Sequence, residues 1–141
     1  MKITSKFTVA VHTLLVINYF SKSEKVTSDF IAASVQVNPV VIRRSMQDLK
    51  AAGLIDVKYG SGGATLTKEL KDITLYDVYR AVDAVDTQEG GLFHFHENPN
   101  PKCPVGKNIH LVLDDHLIEA QRAMEQKLQQ VSLQMLAEKI K

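Results

Sequence analysis

Three groups of residues in this 141-residue chain have the types and spacing to do chemistry. The first is Val40, Arg43, Arg44, Gln47 and Lys50, which recur at helical intervals and so share one face of a helix. Two adjacent arginines near a helix start oppose its macrodipole, whose positive end prefers anions. The conflict makes sense where that end faces phosphate or guanine; the plain alternative is a solvated charged face. The second group is His94-Phe95-His96-Glu97. In an extended stretch both imidazoles would project to one side, and imidazole suits zinc, iron or copper. Two histidines in a polar loop are more often simply solvated, so no metal is assigned. The third is Cys103, followed by Pro104, where a helix N-terminus can stabilise a thiolate. That makes Cys103 a candidate redox sensor, beside the plainer role of a packed cysteine. No Ser-His-Asp grouping or carboxylate pair has local context for catalysis, and Asp114-Asp115 reads as a solvated helix face. The chain is not read as an enzyme, and no cofactor is expected.

The elements that must hold the first group are legible around it. Asn38 reads as an N-cap, and Pro39 takes the first helical position, where a missing N–H costs nothing. Gly53 suits a left-handed residue just past the helix end. Ile42, Met46 and Leu49 recur at i, i+4 and i+7 as a buried face. Leu54 to Tyr59 then alternates as a strand, Gly60-Ser61-Gly62-Gly63 makes a tight turn, and Ala64 to Thr67 returns. A glycine-rich turn can also cradle phosphate ahead of a helix, but here a strand follows. A helix with a two-stranded ribbon behind it is the layout of a winged helix. Glycines at the tip let the ribbon approach a sugar-phosphate chain, with Lys58 as a neighbouring cation.

Upstream, Thr4-Ser5 can cap a helix to about Phe20, with Phe7, Val11, Leu14, Leu15 and Ile17 on or near its inward face. His12 within it has no evident metal partner. Thr27-Ser28-Asp29 starts a second helix through Val35, so that helices 28–35 and 39–52 form a helix-turn-helix. Downstream, Thr74 to Asp77 fits a capping box opening a helix to about Ala84, with Val78, Ala81, Val82 and Val85 apolar. Residues 86–102 form a long irregular connection. From Pro104 to about Gln129 Val105, Ile109, Val112, Leu113, Leu117, Ala120, Met124 and Leu128 recur at helical spacing. Such a helix spans roughly 39 Å at ~1.5 Å per residue. This is longer than a domain this small can cover, so part of its stripe is left for a second copy, unless it folds back on its own subunit. Ser132 can cap a last helix from Leu133 to Ile140.

Composition bounds the reading. An apolar fraction of 45% supports a folded core, and no apolar run reaches the ~18 residues of a membrane span. Neither a signal-peptide layout nor a second cysteine is present, which favours the cytoplasm. Residues 1–67 carry eight Lys/Arg against four Asp/Glu, whereas residues 68–141 carry nine against twelve. A basic first half and an acidic second half fit a DNA-reading part joined to another function. The division expected is a DNA-binding winged helix over 1–85 and a dimerising region, also the candidate sensing region, over 86–141.

The run NPVVIRRSMQDLKAAGLIDVKYGSGGATL, with SDFIAASV before it and ITLYDVYRAVD after it, resembles the Rrf-two family of bacterial winged-helix regulators (IscR/NsrR/CymR-like). The likeness extends through the cysteine-containing loop and the long helix. It implies a fold that is mainly α with a small β-hairpin wing (α+β). It also implies a homodimeric transcription factor, a repressor, whose long helices meet at the dimer interface over a palindromic double-stranded DNA site. By position, Asn38, Pro39, Val40, Arg43, Arg44 and Gln47 would belong to the recognition helix, and Lys58, Tyr59, Ser61 and Gly62 to the wing. Family members that bind an iron–sulfur cluster use three cysteines. Cys103 stands alone, with His94, His96, Glu97 and His110 near it, so the resemblance is to the subgroup without a cluster. Operator and effector stay unidentified. The alternative reading is a winged-helix module that contacts another protein rather than DNA.

Overall fold

The computed structural model describes residues 4–58, 63–82, 92–93 and 95–140. Helices α1 (Ser5–Phe20), α2 (Ser28–Val35) and α3 (Pro39–Ala51) precede a hairpin of β1 (Ile55–Val57) and β2 (Ala64–Leu66). A single 3-10 turn (Leu70–Asp72), α4 (Leu75–Ala81), α5 (Pro104–Gln129) and α6 (Leu133–Ala137) follow. The mainly helical fold with one small antiparallel wing is thus as expected.

Helix α1 is the hub, in contact with α2, α3, β2, α4 and α6. Its buried residues are Val9, Ala10, Thr13, Leu14, Val16 and Ile17. Of the expected inward set, Leu14 and Ile17 are buried, and Phe7, Val11 and Leu15 are half-buried, packing against the core while also lining an outer groove. Helix α1 is apolar on most sides, so periodicity alone does not separate the two sets. Thr13 is tolerated inside because its hydroxyl donates to the Val9 carbonyl at 2.8 Å.

Capping explains the start of the next two helices. Thr27 Oγ1 accepts from the Phe30 N–H at 3.1 Å, and Asn38 Oδ1 accepts from the Val40 N–H at 2.9 Å. Each such cap contributes about 1 kcal/mol. Helix α2 stops at Gln36, which takes a left-handed φ of 62°. Helix α3 stops in a Schellman arrangement: Gly53 at φ 78° donates to the Lys50 carbonyl, and Leu54 donates to the Leu49 carbonyl. Ile42, Ser45, Met46 and Leu49 are buried below it. Fully burying each large aliphatic side chain contributes roughly 1.5–3 kcal/mol.

The wing pairs Ile55 with Leu66, Asp56 with Thr65 and Val57 with Ala64. Its strands are shorter than the 54–59 and 64–67 runs expected. Thr74 and Asp77 form the capping box in both directions, at 3.1 and 2.9 Å. Helix α4 ends at Ala81 rather than near Ala84, and Val85 lies outside the described residues.

Helix α5 has the expected bounds, and none of its residues is fully buried within the chain. Its far end folds back: Met124 and Leu128, both half-buried, pack on the core of their own subunit. Tyr79 of α4 joins that contact. Burial and then Glu125 of α5 push its hydroxyl pKa upward. Beyond α5, Leu75 donates to the Val131 carbonyl, Leu133 donates to the Ile73 carbonyl, and Leu133 is completely buried. Ser132 caps α6, which ends at Ala137, short of the expected Ile140.

Candidate nucleic-acid interface

The exposed face of α3 is the candidate reading surface. Val40, Arg43, Arg44, Gln47 and Lys50 are all exposed, as their spacing predicts, while Ile42, Met46 and Leu49 anchor the helix from beneath. Pro39 starts the helix. Asn38 is exposed too, though its side-chain oxygen is committed to the cap. Val41, which periodicity did not single out, is also exposed on this helix.

Between α3 and the wing runs a groove of about 340 Å³. Lys25, Arg43, Gln47, Lys50 and Lys58 rim it, over an apolar floor that includes Met46 and Val57. Lys25 is the residue sequence reasoning missed. It reaches the groove because the chain before α2 is tied to the wing: the Ala64 N–H donates to the Val26 carbonyl at 2.8 Å. Gly63 makes that tie possible, since a Cβ there would lie 2.7 Å from the Val26 nitrogen. No local pattern announces such a tertiary bond. Of the expected wing residues, Lys58 is exposed beside the groove, and Tyr59, Ser61 and Gly62 lie outside the described residues.

Arg43 lies 3.8 Å from Asp29 of α2, both well exposed. An exposed pair of this length contributes under about 1 kcal/mol and opens readily toward a competing anion. Arg44, although adjacent in sequence, lines a separate recess on the other flank of α3.

The second and third groups lie at different places along the first turns of α5. His110 Nδ1 lies 3.1 Å from Asp114, so Asp114 orients the ring and is not the plain solvated residue expected. The His96 ring lies 5.2 Å from that of His110, and Phe95 meets His110 edge-on at 6.3 Å. His94 lies outside the described residues. His12 pairs with Ser34 Oγ at 2.9 Å, a hydrogen-bonding role. Among the described residues no three His, Cys, Asp or Glu side chains come together as a metal site.

Cys103 is the N-cap residue of α5 and is half-buried. Its thiol makes no capping hydrogen bond, yet the backbone N–H groups of Gly106 and then Val105 face the sulfur and lower its pKa. Because the anionic form is favoured, the alkylation rate of Cys103 should reach half its plateau below the ordinary thiol midpoint of ~8.5. A rate-against-pH profile with a small alkylating agent reads this directly, since the chain has one cysteine. A midpoint at or above the ordinary value would leave Cys103 a packing residue.

Comparison with known proteins agrees with this geometry. The model of the Rrf2 family, described as iron-dependent transcriptional regulators, matches residues 3–139. The chain is 47% identical over 131 residues to YwnA of Bacillus subtilis (strain 168), itself a candidate HTH-type transcriptional regulator, covering 93% of both chains. A solved structure of a candidate DNA-binding protein superposes with a TM-score of 0.70 at 42% identity, covering 92% of this chain and 97% of that one. CymR of B. subtilis, the global cysteine regulator, superposes with a TM-score of 0.71 across 100% of this chain and 99% of its own. At 19% identity that likeness concerns the fold alone.

The iron in the family description is not matched by the donors present. A thiolate-held cluster needs several cysteines. Here a single thiol faces backbone N–H groups, and His110 is held by Asp114. Among the described residues, no helix is long and apolar enough to cross a membrane.

Proposed function

Because the chain belongs to the Rrf2 family of winged-helix, DNA-binding transcriptional regulators, we propose that it is a cytoplasmic homodimeric repressor of a palindromic operator. The family is one of regulators and not of enzymes. In this reading residues 1–85 contact DNA, residues 86–141 join the two copies, and each α3 enters a major groove. One observation carries it: the exposed face of α3 and the wing base enclose a groove rimmed by Lys25, Arg43, Lys50 and Lys58. Basic side chains around a helix of this kind suit phosphate, and an Arg with a neighbouring Gln suits base edges.

The test is selection of bound duplexes from a random pool, followed by affinity measurements across salt. A palindromic consensus and a steep loss of affinity with salt are expected. Salt-insensitive behaviour and no enriched sequence would favour the protein–protein module instead. Within a selected operator, Arg43→Ala should cost roughly 1–3 kcal/mol and relax preference at one position per half-site. Lys58→Ala should instead weaken all sequences alike and flatten the salt slope. An Arg43→Ala protein with unaltered preference would remove Arg43 from the reading set.

A further inference from the structure

The two adjacent arginines of α3 do different work. Successive helical residues are about 100° apart at 3.6 per turn, and Arg43 and Arg44 consequently diverge. Arg43 lines the groove on the wing side. Arg44 lines a recess of about 240 Å³ on the opposite flank, together with Lys6 at the start of α1, Val41, Ser45, Asp48 and Val82. We propose that the recess formed by Lys6, Arg44 and Ser45 seats one DNA backbone phosphate on the flank of α3 away from the wing. The proposal rests on the DNA-binding reading above and deepens it.

Three observations carry it. First, among the described residues neither Lys6 nor Arg44 has an ion-pair partner, and both are exposed. Second, Ser45 is 7% exposed, and its buried hydroxyl has no hydrogen-bond partner among the described residues. Leaving such a group unpaired carries its full desolvation penalty. A hydroxyl with no bond to give up can turn toward a phosphate oxygen without losing anything.

Third, a helix with side chains is about 10–12 Å across and the major groove is about 12 Å wide. Both flanks of an inserted α3 therefore come within reach of the two bordering strands. Lys25, Lys50 and Lys58 serve one strand; Lys6 and Arg44 serve the other. Asp48, one turn beyond Arg44, also lines the recess, and its carboxylate opposes the phosphate there against the two cations. Arg44 is thus a positioning residue, while Arg43 reads.

The experiment uses the full chain and its selected operator. Lys6→Gln and Arg44→Gln should each lower affinity roughly tenfold at about 0.1 M salt. Each should also reduce the salt slope by about 0.9 per half-site and leave the preferred sequence unchanged. Both side chains are exposed, so thermal unfolding should be unaltered. Ser45→Ala should bind more weakly while melting no lower than the parent, because it removes an orphan hydroxyl.

A scan of neutral methylphosphonate linkages locates the seat. One linkage per half-site should weaken the parent but not the Lys6→Gln/Arg44→Gln protein. Parental salt slopes in the variants, a changed base preference for Arg44→Gln, or a scan without such a linkage would overturn the seat while leaving DNA binding intact. Absence of any salt-dependent duplex binding by the parent would overturn both.

Discussion

A Val112→Asp protein is expected to sediment as a monomer at concentrations where the parent sediments as a dimer. Val112 is 60% exposed and Val105, one heptad earlier, is 70% exposed. At about 100° per residue the two lie on one flank of α5, turned away from the Met124–Leu128 side that packs on the core. An aspartate at so exposed a position costs the isolated fold almost nothing. In an isologous interface, however, the same charge is buried twice and left unpaired, at several kcal/mol of desolvation for each. Sedimentation velocity should therefore show loss of the dimer with an unchanged far-UV spectrum. Operator affinity should fall with it, since one half-site holds half the contacts. Val112 is a sharper probe than Leu117, which lies one heptad from Met124 and is half-buried already. A Val112→Asp dimer of parental strength would move the interface to another surface.

Gly63→Val is expected to uncouple the wing from the helix-turn-helix. The new Cβ would sit 2.7 Å from the Val26 nitrogen and 2.9 Å from its carbonyl oxygen. Both are backbone atoms, so no side-chain rotation relieves the clash. The Ala64-to-Val26 hydrogen bond must break or the strand must shift, and overpacking of this kind typically costs about 1–3 kcal/mol. Because Lys25 and Lys58 are aligned through this contact, DNA affinity should drop beyond what the lost stability accounts for at temperatures where the protein stays folded. Melting temperature and operator affinity, measured together, check this. A Gly63→Val protein that melts and binds as the parent does would mean that the wing is held by other contacts.

Much of this was legible because end signals are local. Asn38-Pro39, Thr74 with Asp77, Cys103-Pro104 and Ser132 each mark a helix start through their own short-range chemistry, and each marks one in the structure. The buried face of α3 was equally legible, since three apolar residues at helical spacing stood against a charged face. What failed was what depends on neighbours distant in sequence. Helix α1 is apolar on most sides, so its pattern did not separate the fully buried residues from the half-buried ones. The place of Lys25 depended on a backbone bond between Val26 and Ala64, and the parting of Arg43 from Arg44 on what flanks α3. Asp114 looked like surface because its partner, His110, is itself half-exposed.

The anchorage of α5 gives the molecule a caliper. Beyond its last turn the chain is stapled to the core by the Leu75–Val131 and Leu133–Ile73 hydrogen bonds and the buried Leu133. The 26-residue rod ahead of that staple is tied at this end to its own winged helix. At ~1.5 Å per residue the rod is roughly 39 Å long, and a tilt of about 5° moves its tip by roughly 3.4 Å, one base-pair step. Two such calipers joined near their tips would convert a few degrees of rotation at the joint into a whole step of mismatch between the reading helices and the operator.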